Sequence, residues 1–184
     1  SVSDYITKIN FELAYIKFPN EPVKQIMGSW GDINKTMAED ERFGGEITGN
    51  GFLRKIVEET TAGMATTEEK INAISNYVKQ NITWDGNQRM YPGQPLRKVL
   101  DNRKGNSAEI NLLLGSMLEK ADIQVTPVLL STRNNGLLRI ATPVVSQFNY
   151  VICLAKANGK SYLLDATERM LPVGMLPERC LNGK

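Results

Sequence analysis

The sequence predicts an α+β fold in which several helices come before an antiparallel sheet. Apolar residues recur at helical spacing as far as Ala121, and from Val125 onward the apolar period changes to two. The dipeptide Asn158-Gly159, the strongest short hairpin signal, joins the last two strand-like runs. A parallel sheet needs strands that alternate with helices, and this sequence lacks that alternation.

Strand and helix signals come before the glycine-rich stretch near residue 45. Alternating apolar residues predict a half-buried strand over residues 5–15. A helix is predicted over residues 23–37, weakened by its internal glycines. The glycines between residues 44 and 51 predict a loop. We therefore expect an N-terminal strand-and-helix arm in residues 1–45 and a main domain in residues 46–184.

Three helices are predicted in the first half of the main domain. The first spans residues 52–60, with Asn50 as its cap. The second begins at a capping box formed by Thr66 and Glu69 and continues to residue 82. A short third helix begins near Pro95, since proline suits the first turn of a helix.

The longest apolar stripe predicts a mostly buried central helix that begins near Asn106 and continues to residue 121. Asn106 is a good N-cap, and Glu109 completes a capping box. Ser107 lies in the first turn, where free N–H groups and the helix dipole favour a developing negative charge. A nucleophile is often found at such a position. Serine is also common at helix starts, and local sequence alone favours that simpler interpretation.

Three strands are predicted after the central helix, over residues 125–131, 148–155 and 160–165. Pro127 indicates that the first strand lies at an edge or contains a bulge. A long connection, residues 132–147, separates the first two strands, and the tail from residue 170 is predicted to be irregular.

The hairpin loop fixes which residues of the last two strands share a face. With a two-residue loop, residue numbers on paired positions have a constant sum, so Tyr150 faces Thr167 and Ile152 faces Asp165. Tyr150 and Asp165 then lie on one face as diagonal neighbours, within reach of long side chains. A three-residue loop would invert this parity. Asp165 taken by itself is more simply interpreted as a strand-end residue bonded to a nearby backbone N–H.

Composition excludes several classes of function. The chain has 184 residues and a net charge of +2, with basic and acidic residues interleaved, so no basic run indicates a nucleic-acid partner. No apolar run is long enough to span a bilayer. The two cysteines, Cys153 and Cys180, fit neither a disulfide framework nor a zinc pattern. There is no histidine, so the usual general base and the commonest metal ligand are both missing, and we predict neither a metal site nor a cofactor.

The order of these motifs resembles the transglutaminase-like superfamily. Residues 105–114 resemble its nucleophile helix, residues 148–152 its histidine strand and residues 159–167 its aspartate strand. The resemblance spans about residues 66–167. It implies a papain-like core in which N-terminal helices and a central helix pack on an antiparallel β-sheet. Residues 7–45 resemble the end of a β-rich domain that precedes this module in some bacterial proteins.

The resemblance also implies a Cys-His-Asp triad for acyl transfer, and this chain departs from it at two positions. Ser107 stands at the cysteine position, Tyr150 at the histidine position, and Asp165 at the aspartate position. A serine hydroxyl needs an adjacent base, and tyrosine is a poor base near neutral pH because its pKa is about 10. A Ser–Lys pair is an alternative in principle, but nothing in the sequence directs Lys104 toward Ser107.

Three functions follow from these departures. The first is a degenerate, non-catalytic domain, a pseudoenzyme that serves as a binding or structural module. The second is an active amide hydrolase or transglutaminase-like peptidase that uses Ser107 as nucleophile with a lysine or a partner-supplied base. The third is a spacer within a longer secreted protein. Loss of triad members usually removes most triad catalysis, so the sequence favours the first.

If the domain is a binding module, we expect its ligand to lie in the cleft beside the triad positions. Asn106 and Trp84 are candidate binding residues, although a lone tryptophan after a helix more often packs in the core. The expected occupant is a protein, peptide or glycan, and no nucleic acid or membrane span is expected. The resemblance further suggests an extracytoplasmic bacterial protein, periplasmic or secreted, in which this domain belongs to a longer multidomain chain.

Overall fold

The computed structural model describes residue 13, residues 15–25, residues 28–141 and residues 143–182. The strand predicted over residues 5–15 lies almost wholly outside these residues. In the described part, β1 (Tyr15–Ile16) pairs antiparallel with β2 (Lys24–Gln25).

The N-terminal helix begins later than predicted. Helix α1 is Trp30–Glu39, and its N-cap Ser29 forms a capping box with Asp32. That box fixes the helix start at Trp30, and residues 24–25 are extended, so the prediction of a helix from residue 23 was wrong.

The glycine-rich stretch contains a helix that the sequence did not predict. Helix α2 is Gly45–Thr48, and it buries Ile47. Gly44 allows the close approach that precedes it, because a Cβ at that position would lie 2.0 Å from the Ala38 carbonyl oxygen. The prediction of a continuous loop over residues 44–51 therefore failed where tertiary packing overrides the weak helix propensity of glycine.

Three further helices lead to the centre of the domain. A 3₁₀ turn, Gly51–Leu53, precedes α3 (Arg54–Thr60), and α4 is Thr67–Asn81, followed later by α5 (Leu96–Asn102). The predicted capping box of Thr66 and Glu69 is confirmed. Asn50 makes no capping bond; its Nδ2 instead donates to the Glu46 carbonyl oxygen and to Ser116 Oγ.

Helix α6 (Ser107–Lys120) is the core of the fold. Its N-cap Asn106 forms the predicted capping box with Glu109, and every residue from Ser107 to Leu118 is buried. The helix lies against the sheet on one side and against α2 and α4 on others. Met37, Phe43 and Ile47 belong to the same hydrophobic core, and the domain boundary at residue 45 stays a prediction.

The sheet has three antiparallel strands in the order β5 (Gln124–Leu130), β6 (Tyr150–Ala157) and β7 (Lys160–Leu164). Pro127 therefore lies in an edge strand, as predicted. Ala157 pairs with Lys160 and Cys153 with Leu164, which is the register of the two-residue loop. The α+β class is confirmed.

A short parallel pairing, which the sequence did not predict, positions Trp84. Strand β3 (Thr83–Trp84) pairs with β4 (Lys104–Gly105), so that Trp84 lies opposite Gly105, two residues before α6 begins. Two residues are too few to produce a period, so no periodic signal in the sequence indicates this pairing. Within the described residues, no helix combines the length and apolar character needed to cross a membrane.

Candidate functional site at the start of the central helix

Ser107 is fully enclosed at the N-terminus of α6. Its side chain has no exposed surface, and its Oγ accepts a hydrogen bond from the Arg89 N–H (2.8 Å) while donating to the Arg89 carbonyl oxygen (2.9 Å). The Ser107 N–H donates to the Asn87 carbonyl oxygen at 3.1 Å. The hydroxyl therefore uses its proton and one acceptor position to hold the loop that covers it.

We call residues 85–94, the loop that encloses Ser107, the covering loop. Glu109 binds its C-terminal end. Its Oε1 accepts from the N–H groups of Gly93 (2.8 Å) and Gln94 (3.1 Å), and its Oε2 accepts from the Asn106 N–H (2.8 Å). The carboxylate is buried. One capping-box glutamate thus joins the helix start to the covering loop, and the loop is held at both ends by residues of the first turn.

Tyr150 and Asp165 meet on one face of the sheet, as the hairpin register predicts. The Tyr150 hydroxyl donates to Asp165 Oδ2 at 2.8 Å, and both side chains are buried. Asp165 also accepts from Asn111 Nδ2 (3.1 Å), from the Thr167 N–H (2.8 Å) and from Thr167 Oγ1 (2.5 Å). With four donors, the buried carboxylate has the hydrogen bonding that a desolvated charge requires.

Tyr150 is a donor in this arrangement and not a base. Burial raises the pKa of its phenol far above the ordinary value of 10.0, and the Asp165 carboxylate raises it further. Because the phenol stays protonated at neutral pH, Tyr150 can hold Asp165 but cannot accept a proton from a nucleophile.

Arg179, from the C-terminal tail, lies over the same network. Its guanidinium carbon is 4.1 Å from the centre of the Trp84 ring. One terminal nitrogen donates to Thr167 Oγ1 (2.5 Å) and the other to Glu168 Oε1 (2.6 Å). Trp84, half-buried and packed against the core, donates from Nε1 to the Asn87 carbonyl oxygen (3.0 Å). Trp84 is thus in part a core residue, as expected, and in part a stacking platform.

The buried lysine of this region is Lys79 and not Lys104. Lys79 Nζ donates to the Leu171 carbonyl oxygen at 2.7 Å. Burial lowers the pKa of its ammonium group, and the charge of Asp165 opposes that shift. Lys104 is exposed in β4, where its carbonyl oxygen accepts from Gln94.

The two cysteines are free thiols, and both are buried. Burial raises the pKa of the Cys153 thiol far above 9.0 and that of Cys180 to about 12. Thiolate is therefore scarce at neutral pH, and neither cysteine has the environment of a reactive nucleophile. Among the described residues, no group of histidine, cysteine, aspartate or glutamate side chains is arranged to hold a metal ion.

Only two of the three predicted triad-position residues are in direct contact in the structure. Tyr150 and Asp165 are in contact, whereas the Ser107 hydroxyl is bonded to the covering loop. The link between α6 and Asp165 is Asn111, whose Oδ1 also accepts from the Ala166 N–H at 2.8 Å.

Sequence reasoning missed several partners in this network. Thr167 was available from the hairpin register, and Asn111 from its place one helical turn after Ser107. No local sequence signal identified Arg89, which acts through its main chain. Arg179 was also missed because it lies in a tail without periodicity.

A polar cleft of about 790 Å³ opens beside the covering loop. Asn106, the predicted binding residue, contributes to its wall, although its Oδ1 is already used to cap the helix. The other lining residues are mainly polar or belong to the covering loop: Asp85, Asn87, Gln88, Arg89, Met90, Tyr91, Pro92, Gly93, Gln94, Glu109, Phe148 and Asn149.

Comparison with known families and structures agrees with this fold. The family model of the transglutaminase-like superfamily matches residues 54–159, more than half of the chain. A candidate protease from Parabacteroides distasonis has a TM-score of 0.61 and 16% identity over 91% of this chain. At that level of identity the likeness concerns the fold alone. None of the curated protein sequences gives a significant match.

Two other solved structures are more distant. A candidate cysteine protease from Cytophaga hutchinsonii (14% identity, 66% of this chain) and a protein described as a TGase (14% identity, 77% of this chain) both have TM-scores of 0.49. The matched part of this chain covers 36%, 39% and 38% of the lengths of the three proteins, so it spans well under half of each.

Proposed function

Because the chain belongs to the transglutaminase-like superfamily, we propose that it is a member that has lost acyl-transfer catalysis and serves as a binding or structural module. One observation carries the proposal: Ser107, at the predicted nucleophile position, is fully buried, and both its donor and an acceptor position are used by the Arg89 main chain. A nucleophile must reach a carbonyl carbon, and this hydroxyl faces the covering loop instead.

The surroundings of Asp165 support the same proposal. In an acyl-transfer triad the aspartate orients a base, and the base takes the proton of the nucleophile. Here Asp165 receives hydrogen bonds from Tyr150, Asn111 and Thr167, none of which is a base at neutral pH. The arrangement has the character of a buried structural network, in which four donors converge on one carboxylate.

The polar cleft beside the covering loop is the proposed binding surface. It offers amide and guanidinium side chains, among them Gln88, Arg89 and Asn149, which suit the carbonyl and hydroxyl groups of a peptide or glycan. The proposed setting is a longer bacterial protein outside the cytoplasm. The proposed occupant is a protein, peptide or glycan that shares that compartment.

Catalysis is tested by comparing the parent protein with Ser107→Ala. We expect neither to release ammonia from glutamine peptides, with or without an amine acceptor, and neither to hydrolyse peptide amides above background. Turnover by the parent that Ser107→Ala abolishes would establish the alternative function, an acyl-transfer enzyme with Ser107 as nucleophile.

Binding is tested on peptide and glycan arrays with Arg89→Ala, which changes the cleft surface and keeps the main-chain bonds to Ser107. The matched control is Arg54→Ala, an exposed arginine on α3 away from the cleft. We expect array binding that Arg89→Ala weakens and Arg54→Ala leaves unchanged. Equal binding by all three proteins would exclude the cleft as the binding surface.

A further inference from the structure

Arg179 occupies a pocket whose walls match a guanidinium group. The Trp84 ring lies on one side at 4.1 Å, and the Tyr150 ring centre is 5.8 Å from the same guanidinium carbon. Thr167 Oγ1 and Glu168 Oε1 accept from the two terminal nitrogens. An aromatic ring beside the guanidinium carbon, combined with acceptors for both terminal nitrogens, favours guanidinium over a compact ammonium.

The Arg179 side chain is largely buried in this pocket, but one of its nitrogen donors has no hydrogen-bond partner among the described residues. Only 16% of the Arg179 side chain is exposed. Its Nε is buried and has no hydrogen-bond partner in the part of the chain that the structure describes. An unpaired buried donor carries a free-energy cost, so the occupant is held by stacking and by its two terminal nitrogens and not by a complete set of bonds.

The segment that carries Arg179, residues 176–182, is attached to the domain by main-chain and side-chain contacts. The Arg133 N–H donates to the Arg179 carbonyl oxygen at 2.9 Å, and Cys180 packs in one apolar cluster with Tyr150. Asn182 Nδ2 donates to the carbonyl oxygens of Gly136 (2.7 Å) and Ser131 (3.1 Å). Arg133 pairs with Glu178 at 2.5 Å, with side chains 53% and 84% exposed, where water and salt weaken the attraction. Its regular structure is limited to the short 3₁₀ turn Glu178–Cys180.

We propose that residues 176–182 form a plug: Arg179 fills from within the chain a guanidinium-binding pocket, and the same pocket binds an arginine side chain of a partner protein when the plug is displaced. The pocket is separate from the cleft beside the covering loop, and the proposal holds whether or not the domain is catalytic. Because the internal arginine competes with any external one, the apparent affinity for a partner is reduced by the fraction of molecules in which the plug is open.

In this proposal the acidic groups of the pocket attract the cation that replaces Arg179. With Arg179 removed, the Glu168 carboxylate and the buried Asp165 would leave the pocket with negative charge, partly balanced by Lys79. A cation should then bind there, and the flat Trp84 face should favour a planar cation.

The test is chemical rescue of Arg179→Ala by ethylguanidinium at millimolar concentration. A fragment of this size should bind with a dissociation constant on the order of millimolar. At a tenfold excess over that constant, the unfolding midpoint of Arg179→Ala should rise by about 3–5 °C and saturate. The parent, whose pocket is filled, should show no saturable rise. Ethylammonium at equal concentration is the matched control for charge, and it should have a smaller effect on Arg179→Ala.

Adding Glu168→Gln to Arg179→Ala should weaken the rescue severalfold, because one of the two acceptors loses its charge. If Arg179→Ala does not fold, its refolding yield is measured instead, and the yield should be higher with ethylguanidinium than with ethylammonium. No saturable response, an equal response of the parent, or equal rescue by the two cations would overturn the proposal.

Discussion

The Tyr150 hydroxyl lies 2.8 Å from Asp165 Oδ2, at the two positions where the resemblance to the superfamily places the histidine and aspartate of the triad. In a catalytic triad that bond would be made by an imidazole N–H. Here a phenol makes it, and Asn111 joins the same oxygen to the central helix. We interpret the pair as a structural bond between the sheet and α6.

Replacing Tyr150 with phenylalanine tests that interpretation. Tyr150→Phe leaves the ring and removes one donor to a buried carboxylate, so we expect the free energy of unfolding to fall by about 1–3 kcal/mol. Combining it with Asp165→Asn should cost less than the sum of the two single changes. Urea unfolding of the parent, the two single mutants and the double mutant measures both quantities.

Tyr162→Phe is the matched control for this cycle. Tyr162 lies half-buried in β7, on the neighbouring strand, and is not joined to the Asp165 network. Its replacement should change stability by less than Tyr150→Phe does. Strict additivity in the cycle, or a Tyr150→Phe protein as stable as the parent, would contradict the structural role and leave ligand binding as the better account.

Restoring the thiol alone should not restore catalysis. Ser107→Cys places a sulfur at a helix start, where a thiol can be partly ionised. Among the described residues, however, no base stands beside it to take the proton and pass it to a leaving amine. We expect little acyl-transfer activity on glutamine peptides and peptide amides. Ser75→Cys, which puts a thiol at another buried serine on α4, is the matched control. Robust turnover specific to Ser107→Cys would reveal a base that this account lacks.

The buried acids predict a loss of stability in alkali. Burial raises the folded-state pKa of Cys180 to about 12, and it also raises those of Cys153 and Tyr150, above ordinary values of 9.0 for the thiols and 10.0 for the phenol. Between the ordinary pKa of each group and its raised folded-state pKa, the unfolded chain loses a proton that the folded protein keeps. The stabilisation is therefore fully present below about pH 8 and is lost as pH rises beyond 9. Burial also raises the pKa of Tyr91, which adds to this loss, whereas Lys79, whose pKa burial lowers, acts in the opposite direction below 10.5.

Urea unfolding from pH 7 to pH 11 measures this loss. Replacing one buried thiol, in Cys180→Ala, should make the decline above pH 9 shallower, because one of the groups with a raised pKa is removed. An unfolding free energy that does not change between pH 7 and pH 11 would contradict the prediction.

The sequence predicted best where several local signals agree. The central helix combines an apolar face, the N-cap Asn106 and the capping partner Glu109, and all three are confirmed. The pairing of Tyr150 with Asp165 followed from a single turn dipeptide, because a two-residue loop fixes the register of every later pair.

Prediction failed where structure depends on distant contacts. Helix α2 forms at a glycine-rich stretch because Ile47 is buried, and nothing local indicates that burial. Arg179 reaches Thr167 and Trp84 from a tail without periodicity. The enclosure of Ser107 depends on the path of the covering loop, whose main chain supplies both hydrogen bonds. Any residue can supply a main-chain N–H or carbonyl group, so the residue types in the sequence do not indicate such hydrogen bonds.

The final prediction compares two capping boxes of the same design in different surroundings. Glu109 and Glu69 each occupy the third position of a helix and accept from the N–H of the N-cap residue. Glu69 is exposed, whereas Glu109 is buried and also accepts from Gly93 and Gln94 of the covering loop. Glu109→Gln keeps the size of the side chain, removes its charge and replaces one acceptor with an amide donor. We expect it to destabilise the fold by about 2–3 kcal/mol, because charge-assisted bonds at a buried site are lost.

The same change should release the covering loop locally. Amide hydrogen exchange at Gly93 and Gln94 should accelerate in Glu109→Gln, whereas exchange at Arg89, whose N–H donates to Ser107 Oγ, should change less. The matched change Glu69→Gln should cost less stability and leave exchange in residues 85–94 as it is in the parent. If both substitutions cost the same, or if Gly93 and Gln94 stay protected in Glu109→Gln, then Glu109 acts only as a helix cap, and the covering loop is held closed by Ser107.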